Sequence, residues 1–256
     1  MRPQSYIGVT GFMTRDEVLS ILSGMPAGRL LMVGVLASAK TMRGEPNSWP
    51  NRFPPVDQIG EIFVEDPRAL NLIHFATDDQ ATLDKQLLHL IERTGGNFDG
   101  FQLNMVWPDP LHLRILKEGR GACFVLQIGK RAFEQVNNDP AQLAHKLHAY
   151  HDVVADILFD LSGGHGRELD AQKTLAVLHA VHAEHPRLGL GVAGGLIAET
   201  IHLIEPIIRE FPNVNIDAEG KIRDNKEARL NLQKTAHYIG KATRAFHARP
   251  FSHTPS

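Results

Sequence analysis

Residues 157–170 run Ile157-Leu158-Phe159-Asp160-Leu161-Ser162-Gly163-Gly164-His165-Gly166-Arg167-Glu168-Leu169-Asp170, an apolar stretch that ends on a carboxylate and opens into a glycine-rich loop. So short an apolar run, closed by turn residues, reads as a buried strand. Glycines carry no side chain, so backbone amides behind such a strand are free to line a concavity and cradle an anion. A second loop of this kind, Gly194-Gly195, follows the apolar run at 188–193 and precedes a helix-like segment at 198–211, whose first amides could face the same anion. Turns that merely reverse the chain are the plainer reading of each loop. Two in succession carry more weight, because the later loops of a (β/α)8 barrel often form a phosphate site.

Outward from this stretch the pattern repeats. Short runs rich in Val, Ile, Leu and Phe occur at 6–10, 30–37, 71–76, 100–105, 122–128, 154–161, 188–193 and 214–218. Helix-like segments lie between them at 15–23, 81–93, 140–151, 171–185, 198–211 and 226–246, with weaker ones near 56–64 and 110–117. Thr14 stands before Arg15-Asp16-Glu17, where an N-cap oxygen and two acids suit the orphan amides of a helix start. Asp139 before Pro140 repeats that logic. About eight alternations with no break in composition predict an α/β fold, a single closed (β/α)8 TIM barrel, with a doubly wound open sheet as the competitor. The domain is expected over 1–248, with a flexible C-terminal tail at 249–256. The stretch 41–55, TMRGEPNSWPNRFPP, holds four prolines and predicts a long loop, either a lid or an inert insertion.

In both folds ligands bind at the carboxyl ends of the strands, so the residues just after each apolar run form the candidate site. That rim is polar and glycine-rich: Thr10, 38–43, 74–79, 104–109, 127–131, 160–167, Gly194, Gly195 and 217–223.

Composition narrows the function classes. The 256 residues are 43% apolar and 22% charged, too apolar for a disordered chain. Twenty-seven basic against 29 acidic residues give −2, so no overall cationic field draws nucleic acid or an anionic membrane. The expected partner is a phosphorylated small molecule, with a homodimer left open. The longest apolar stretch is too short for the roughly 20 residues that span a bilayer, and the single Cys123 cannot form an intrachain disulfide. A cytoplasmic protein is expected. Of the 14 histidines, most lie at helical spacing, as at His145, His148 and His151, where a solvated face is the plainer reading and metal binding the sharper one.

The chain resembles the phosphoribosylanthranilate isomerase family. The carrying motifs are ILFD…GGHGRELD at 157–170, VAGGL at 192–196 and VGVLASAKTMR at 33–43, with weaker matches in GFMTRDEV at 11–18, Phe101-Gln102-Leu103-Asn104 and 214–224. The resemblance covers roughly residues 5 to 225 in order and implies a barrel of the ribulose-phosphate-binding type with no cofactor and no metal. It implies that Asp160 is the general acid that opens a sugar ring and that Arg43, Gln102 and Asn215 bind substrate. It also implies that Gly163, Gly164, Gly166, Gly194 and Gly195 hold the phosphate.

The chain departs from that family at its base. Thr10 occupies the place of the family's catalytic Cys, and a hydroxyl has no useful basicity near neutral pH. Asn215 replaces the family's Asp, and Asp217 a phosphate-binding Ser, where Lys221 or Arg223 would have to offset its charge. Thr10 therefore marks the divergence, and the base is sought among His74, Asp78, Asp217 and Glu219. Asp217 comes first, because alternation along the eighth strand puts it inside the barrel. The expected function is an isomerase or lyase acting on a small phosphorylated sugar derivative. The alternatives are a catalytically silent paralogue that binds such a metabolite through its glycine loops, and a metal-dependent barrel using His74, Asp160 and Asp217.

Overall fold

The structure, a computed structural model, describes residues 4–47, 49–161, 169–224 and 228–248. The tail expected at 249–256 and the glycine loop at 162–168 lie outside the described residues. Eight strands, β1 (Tyr6–Thr10), β2 (Leu30–Ser38), β3 (Ala69–Ala76), β4 (Gly100–Leu103), β5 (Cys123–Gly129), β6 (Asp156–Asp160), β7 (Gly189–Ala193) and β8 (Asn215–Ala218), pair in parallel and in chain order. The ring closes where Gly8 of β1 registers with Asp217 of β8. The expected (β/α)8 barrel is therefore the fold, and the open sheet is excluded.

Around the ring run α1 (Arg15–Leu22), α2 (Ala39–Met42), α3 (Ile59–Ile62), α4 (Leu83–Thr94), α5 (Pro110–Arg120), α6 (Lys130–Glu134), α7 (Pro140–Leu147), α8 (Ala171–Glu184), α9 (Glu205–Glu210) and α10 (Leu232–His247). The Thr14 cap is a full capping box: its side chain accepts from the Glu17 amide, and the Glu17 carboxylate accepts from the Thr14 amide at 3.2 Å. Asp139 caps α7 through the Ala141 amide, with Pro140 in the first turn. Most buried apolar side chains pack between the strands and these helices, while a small separate cluster of Tyr6, Met32, Leu70, Leu72, Val125 and Leu158 fills the barrel itself.

The last helix starts only at Leu232, and α2 and α6 were not expected, but the largest departure lies after β7. The helix-like segment at 198–211 is a turn, a 3-10 stretch at Ile201–Ile204 and only then the six-residue α9. Pro206 has no amide to continue an α-helical ladder from the preceding turn. Thr200 closes the turn instead, its hydroxyl donating to the Gly195 carbonyl at 2.8 Å and accepting from the Ile197 amide at 3.0 Å. No regular helix starts directly behind Gly195, so the expected helix-terminus contribution to an anion site is withdrawn.

The loop after β2 is built rather than open-ended. Ser38 caps α2 through the Thr41 amide, and the Asn47 side-chain amide donates to the Thr41 hydroxyl at 3.1 Å. Further along, the Arg52 guanidinium lies 4.6 Å over the ring of the exposed Trp49. Among the described residues no helix is long and apolar enough to cross a membrane. Cys123 is a free thiol that burial pushes up to about 12, which leaves it unreactive near neutral pH.

Candidate active site at the barrel mouth

Strand alternation sets the site. Leu72, Val125 and Leu158 fill the barrel interior, and the residues two positions on, His74, Gln127 and Asp160, share their inward face one layer closer to the carboxyl ends. Thr10, Gln102 and Asp217 join this layer from β1, β4 and β8. All six are buried, with Asp160 retaining 7% of its surface and Asp217 5%.

Five of them, all but His74, form one hydrogen-bonded chain. Thr10 Oγ1 lies 3.0 and 3.2 Å from the two carboxylate oxygens of Asp217, and the Gln102 amide donates to the same carboxylate at 3.1 Å. Gln102 also reaches the Gln127 side-chain oxygen at 3.4 Å, and the Gln127 amide donates to Asp160 Oδ2 at 3.1 Å. The two carboxylates are thus bridged by two glutamines. Missing side chains make room for them: a Cβ on Gly8 would sit 2.8 Å from Asp217 Oδ1, and one on Gly34 would sit 2.4 Å from Thr10 Oγ1.

Burial raises the Asp217 carboxyl to about 7, against the lowering effect of the Gln102 and Thr10 hydrogen bonds and with the Glu219 and Asp160 charges adding to the rise. A carboxylate poised there can both take and give a proton at neutral pH. His74 moves the other way, its pKa lowered by burial, so the ring is neutral. Its Nε2 lies 3.3 Å from the Asn104 amide nitrogen, and a neutral ring nitrogen can accept that proton.

Above this layer, a cavity of about 40 Å³ is lined by His74, Asp160, Gly194, Gly195, Asp217 and Lys221, and it adjoins a larger cleft of about 460 Å³ that shares Gln127, Asp160 and Glu219. Lys130 and Arg131 stand on the wall of the larger cleft. Gly194 and Gly195 adopt φ of 124° and 62°, backbone that side-chain-bearing residues rarely take. Arg223 is fully covered beside the seam. It donates to the carbonyls of Thr10 at 3.2 Å and Ala228 at 3.0 Å and lies 3.5 Å from Glu219, packed where Gly11 has no Cβ.

Of the residues singled out in the sequence, Thr10, Gln102, Asp160, Asp217, Gly194 and Gly195 come together here. Arg43 and Asn215 do not. Arg43 is half-exposed on the C-terminal end of α2, where Glu45 holds its guanidinium at 2.6 Å. Asn215 lies at the opposite end of the barrel, donating to Asp156 at 2.8 Å and accepting from the Tyr6 amide at 2.9 Å. Both were placed by alignment to a motif, which fixes position along the chain but neither depth nor side-chain partner. Gly163, Gly164 and Gly166 lie outside the described residues. Among the described residues His74, Asp160 and Asp217 do not converge as a metal-binding set. Gln127 and Asn104 were visible only as members of the rim. Their signal was the same alternation that selected Asp217.

The closed parallel barrel, with two buried carboxylates bridged at its carboxyl-end mouth, is a (β/α)8 fold. Its structural neighbours include phosphoribosylanthranilate isomerases. The enzyme from Pyrococcus furiosus is 16% identical with a TM-score of 0.61, over 94% of this chain and 99% of that one. The enzyme from Thermococcus kodakaraensis is 18% identical, again at 0.61, over 96% and 100%. The same fold links the chain to part of a pyruvate carboxylase from Rhizobium etli, 11% identical with a TM-score of 0.55, over 95% of this chain and 26% of that one. At the level of sequence, no family model matches and no curated protein matches.

Proposed function

We propose that the chain is an isomerase of a small phosphorylated sugar derivative, with Asp160 as general acid and Asp217 as general base. Asp160 gives a proton to the ring oxygen as the bond to the anomeric carbon breaks, and the electron pair of the substituent on that carbon closes the double bond. Asp217 then removes the proton from the neighbouring carbon, whose electrons form the enol or enamine that tautomerises to product. The phosphate is held by Gly194 and Gly195 together with Gly163, Gly164 and Gly166, with Lys221 on the wall of the same cavity. The observation that carries this reading is Asp217, buried, hydrogen-bonded and raised to about 7 two residues' reach from a second carboxylate. General-base help of this kind is worth roughly 10²–10⁴-fold.

The alternative is a binding protein that has lost turnover. Solvent-deuterium exchange separates the two. Ribose 5-phosphate N-glycosides incubated with the protein in D2O are expected to incorporate deuterium at the carbon next to the anomeric centre, and Asp217→Asn is expected to bind them without exchange. Binding by the wild type without any exchange would establish the silent reading. No binding of these compounds or of inorganic phosphate would remove both. Because a hydroxyl replaces the related enzymes' thiol, the wild type is also expected not to rescue a tryptophan auxotroph that lacks phosphoribosylanthranilate isomerase.

A further inference from the structure

On the outer wall of the barrel, at the end away from the mouth, three side chains of metal-ligating type meet. His145 lies in the last turn of α7, and His148 is its C-cap, so the two rings project side by side at a spacing of three. Glu184 is the last residue of α8, the neighbouring helix. One donor atom from each lies within 4.8 Å of the other two, and His148 Nε2 is 2.9 Å from Glu184 Oε2.

We propose that His145, His148 and Glu184 bind a divalent transition metal of the zinc class. Zinc takes imidazole nitrogen and carboxylate oxygen at roughly 2.0–2.2 Å in a tetrahedron, which separates its donors by about 3.4 Å. One pair is already nearer than that. The wider ones close by rotation of side chains exposed enough to turn freely, and water takes the fourth position. Two imidazoles select zinc, cobalt, nickel or copper over magnesium and calcium, which take oxygen.

The frame beneath is fixed before any metal arrives. The buried His185 ring packs 4.6 Å from the ring of His148, and its Nε2 pairs with the Ala144 carbonyl at 2.8 Å. That contact ties the end of α8, and with it Glu184, to the end of α7. Glu184 and His185 also line the hollow at the amino-terminal ends of β5, β6 and β7. The metal would therefore clamp two helices at the base of the barrel and take no part in chemistry at the mouth.

Calorimetric titration of metal-free protein with Zn2+ tests this, with thermal unfolding and the visible spectrum of the Co2+ form beside it. The expected result is one equivalent bound, a rise in Tm of several degrees, and the absorption of four-coordinate cobalt. His148→Ala and Glu184→Gln should each weaken binding by more than about tenfold, since even outer-shell partners of a metal cost 10–100-fold. His145→Gln provides a third, milder change should either variant fold poorly. His179→Ala, which removes a histidine elsewhere on α8, should bind as the wild type does. Mg2+ should give no heat. Absence of zinc binding, or binding left unchanged by the cluster variants, would overturn the proposal.

Discussion

The Thr10 hydroxyl donates to the carboxylate of Asp217 across the seam that closes the barrel, at 3.0 Å to one oxygen and 3.2 Å to the other. Thr10 thus spends its only proton on holding the ionised form of its neighbour. That makes it a positioning residue for the proposed base.

Thr10→Val removes this bond, so the Asp217 pKa should climb from its present value of about 7. A net hydrogen bond of about 1 kcal/mol corresponds to a shift of up to about one unit. In the rate–pH profile the acid limb of kcat should move up by that amount with KM little changed. A variant whose Tm falls while the profile stays in place would show that Thr10 is structural only.

Asp217 also links stability to pH. Its pKa of about 7 in the folded chain exceeds the usual 3.8, so between these values the folded state holds a proton that the unfolded state has released. The stabilisation is fully present below about pH 4 and is lost as pH rises through about 7. For roughly three units it amounts to something on the order of 4 kcal/mol. Urea denaturation at pH 5 and pH 8 should show the wild type losing stability with pH and Asp217→Asn losing clearly less. Equal losses in the two proteins would contradict this.

Gly34→Ala places a Cβ 2.4 Å from Thr10 Oγ1 and 2.9 Å from its Cα, so β1 must shift. Overpacking of this sort costs about 1–3 kcal/mol, and activity should fall with the displaced Asp217. Gly129→Ala, whose Cβ would meet the Asp160 carbonyl at an ordinary 3.8 Å, is the control on the other side of the mouth. Similar Tm values for the two variants would argue against a tight seam.

Arg223→Met leaves Glu219 and two carbonyls without their buried cation. Glu219 keeps contact with water, so the loss is mainly that of two unsatisfied buried carbonyls, about 1–3 kcal/mol each. Arg223→Lys should recover little of it, because one ammonium cannot reproduce the guanidinium fork that serves Thr10 and Ala228 together. Chemical denaturation of the three proteins measures both effects.

The strands were legible in the sequence to within two residues at either end, because each is a buried run with the same alternation and the same polar ending. That regularity also exposed Thr10, Asp160 and Asp217, whereas Gln102 came from the family resemblance. Depth along the barrel axis was not legible. Asn215 and Asp217 face inward alike, yet one lies at the base beside Asp156 and the other at the mouth, and only the stagger of neighbouring strands decides which. Nor was the partner of Arg43 legible: its guanidinium pairs with Glu45, two residues further along the chain. The broken helix before α9 was written in Thr200 and Pro206, signals that an apolar period of helical length concealed.

The placement of aromatic residues gives this barrel its own optical read-out. Its two tryptophans both sit on loops that leave the carboxyl ends of strands, Trp49 after β2 and Trp107 after β4. Trp49 is about half exposed under the Arg52 guanidinium, whereas the Trp107 indole is tethered to the Ala132 carbonyl at 3.0 Å. One fluorophore faces water and the other an apolar wall, so their emission separates in wavelength and in accessibility to iodide. Ligand entry at the mouth can then be followed on the unlabelled protein, loop by loop, with Trp49→Phe and Trp107→Phe assigning each component of the signal.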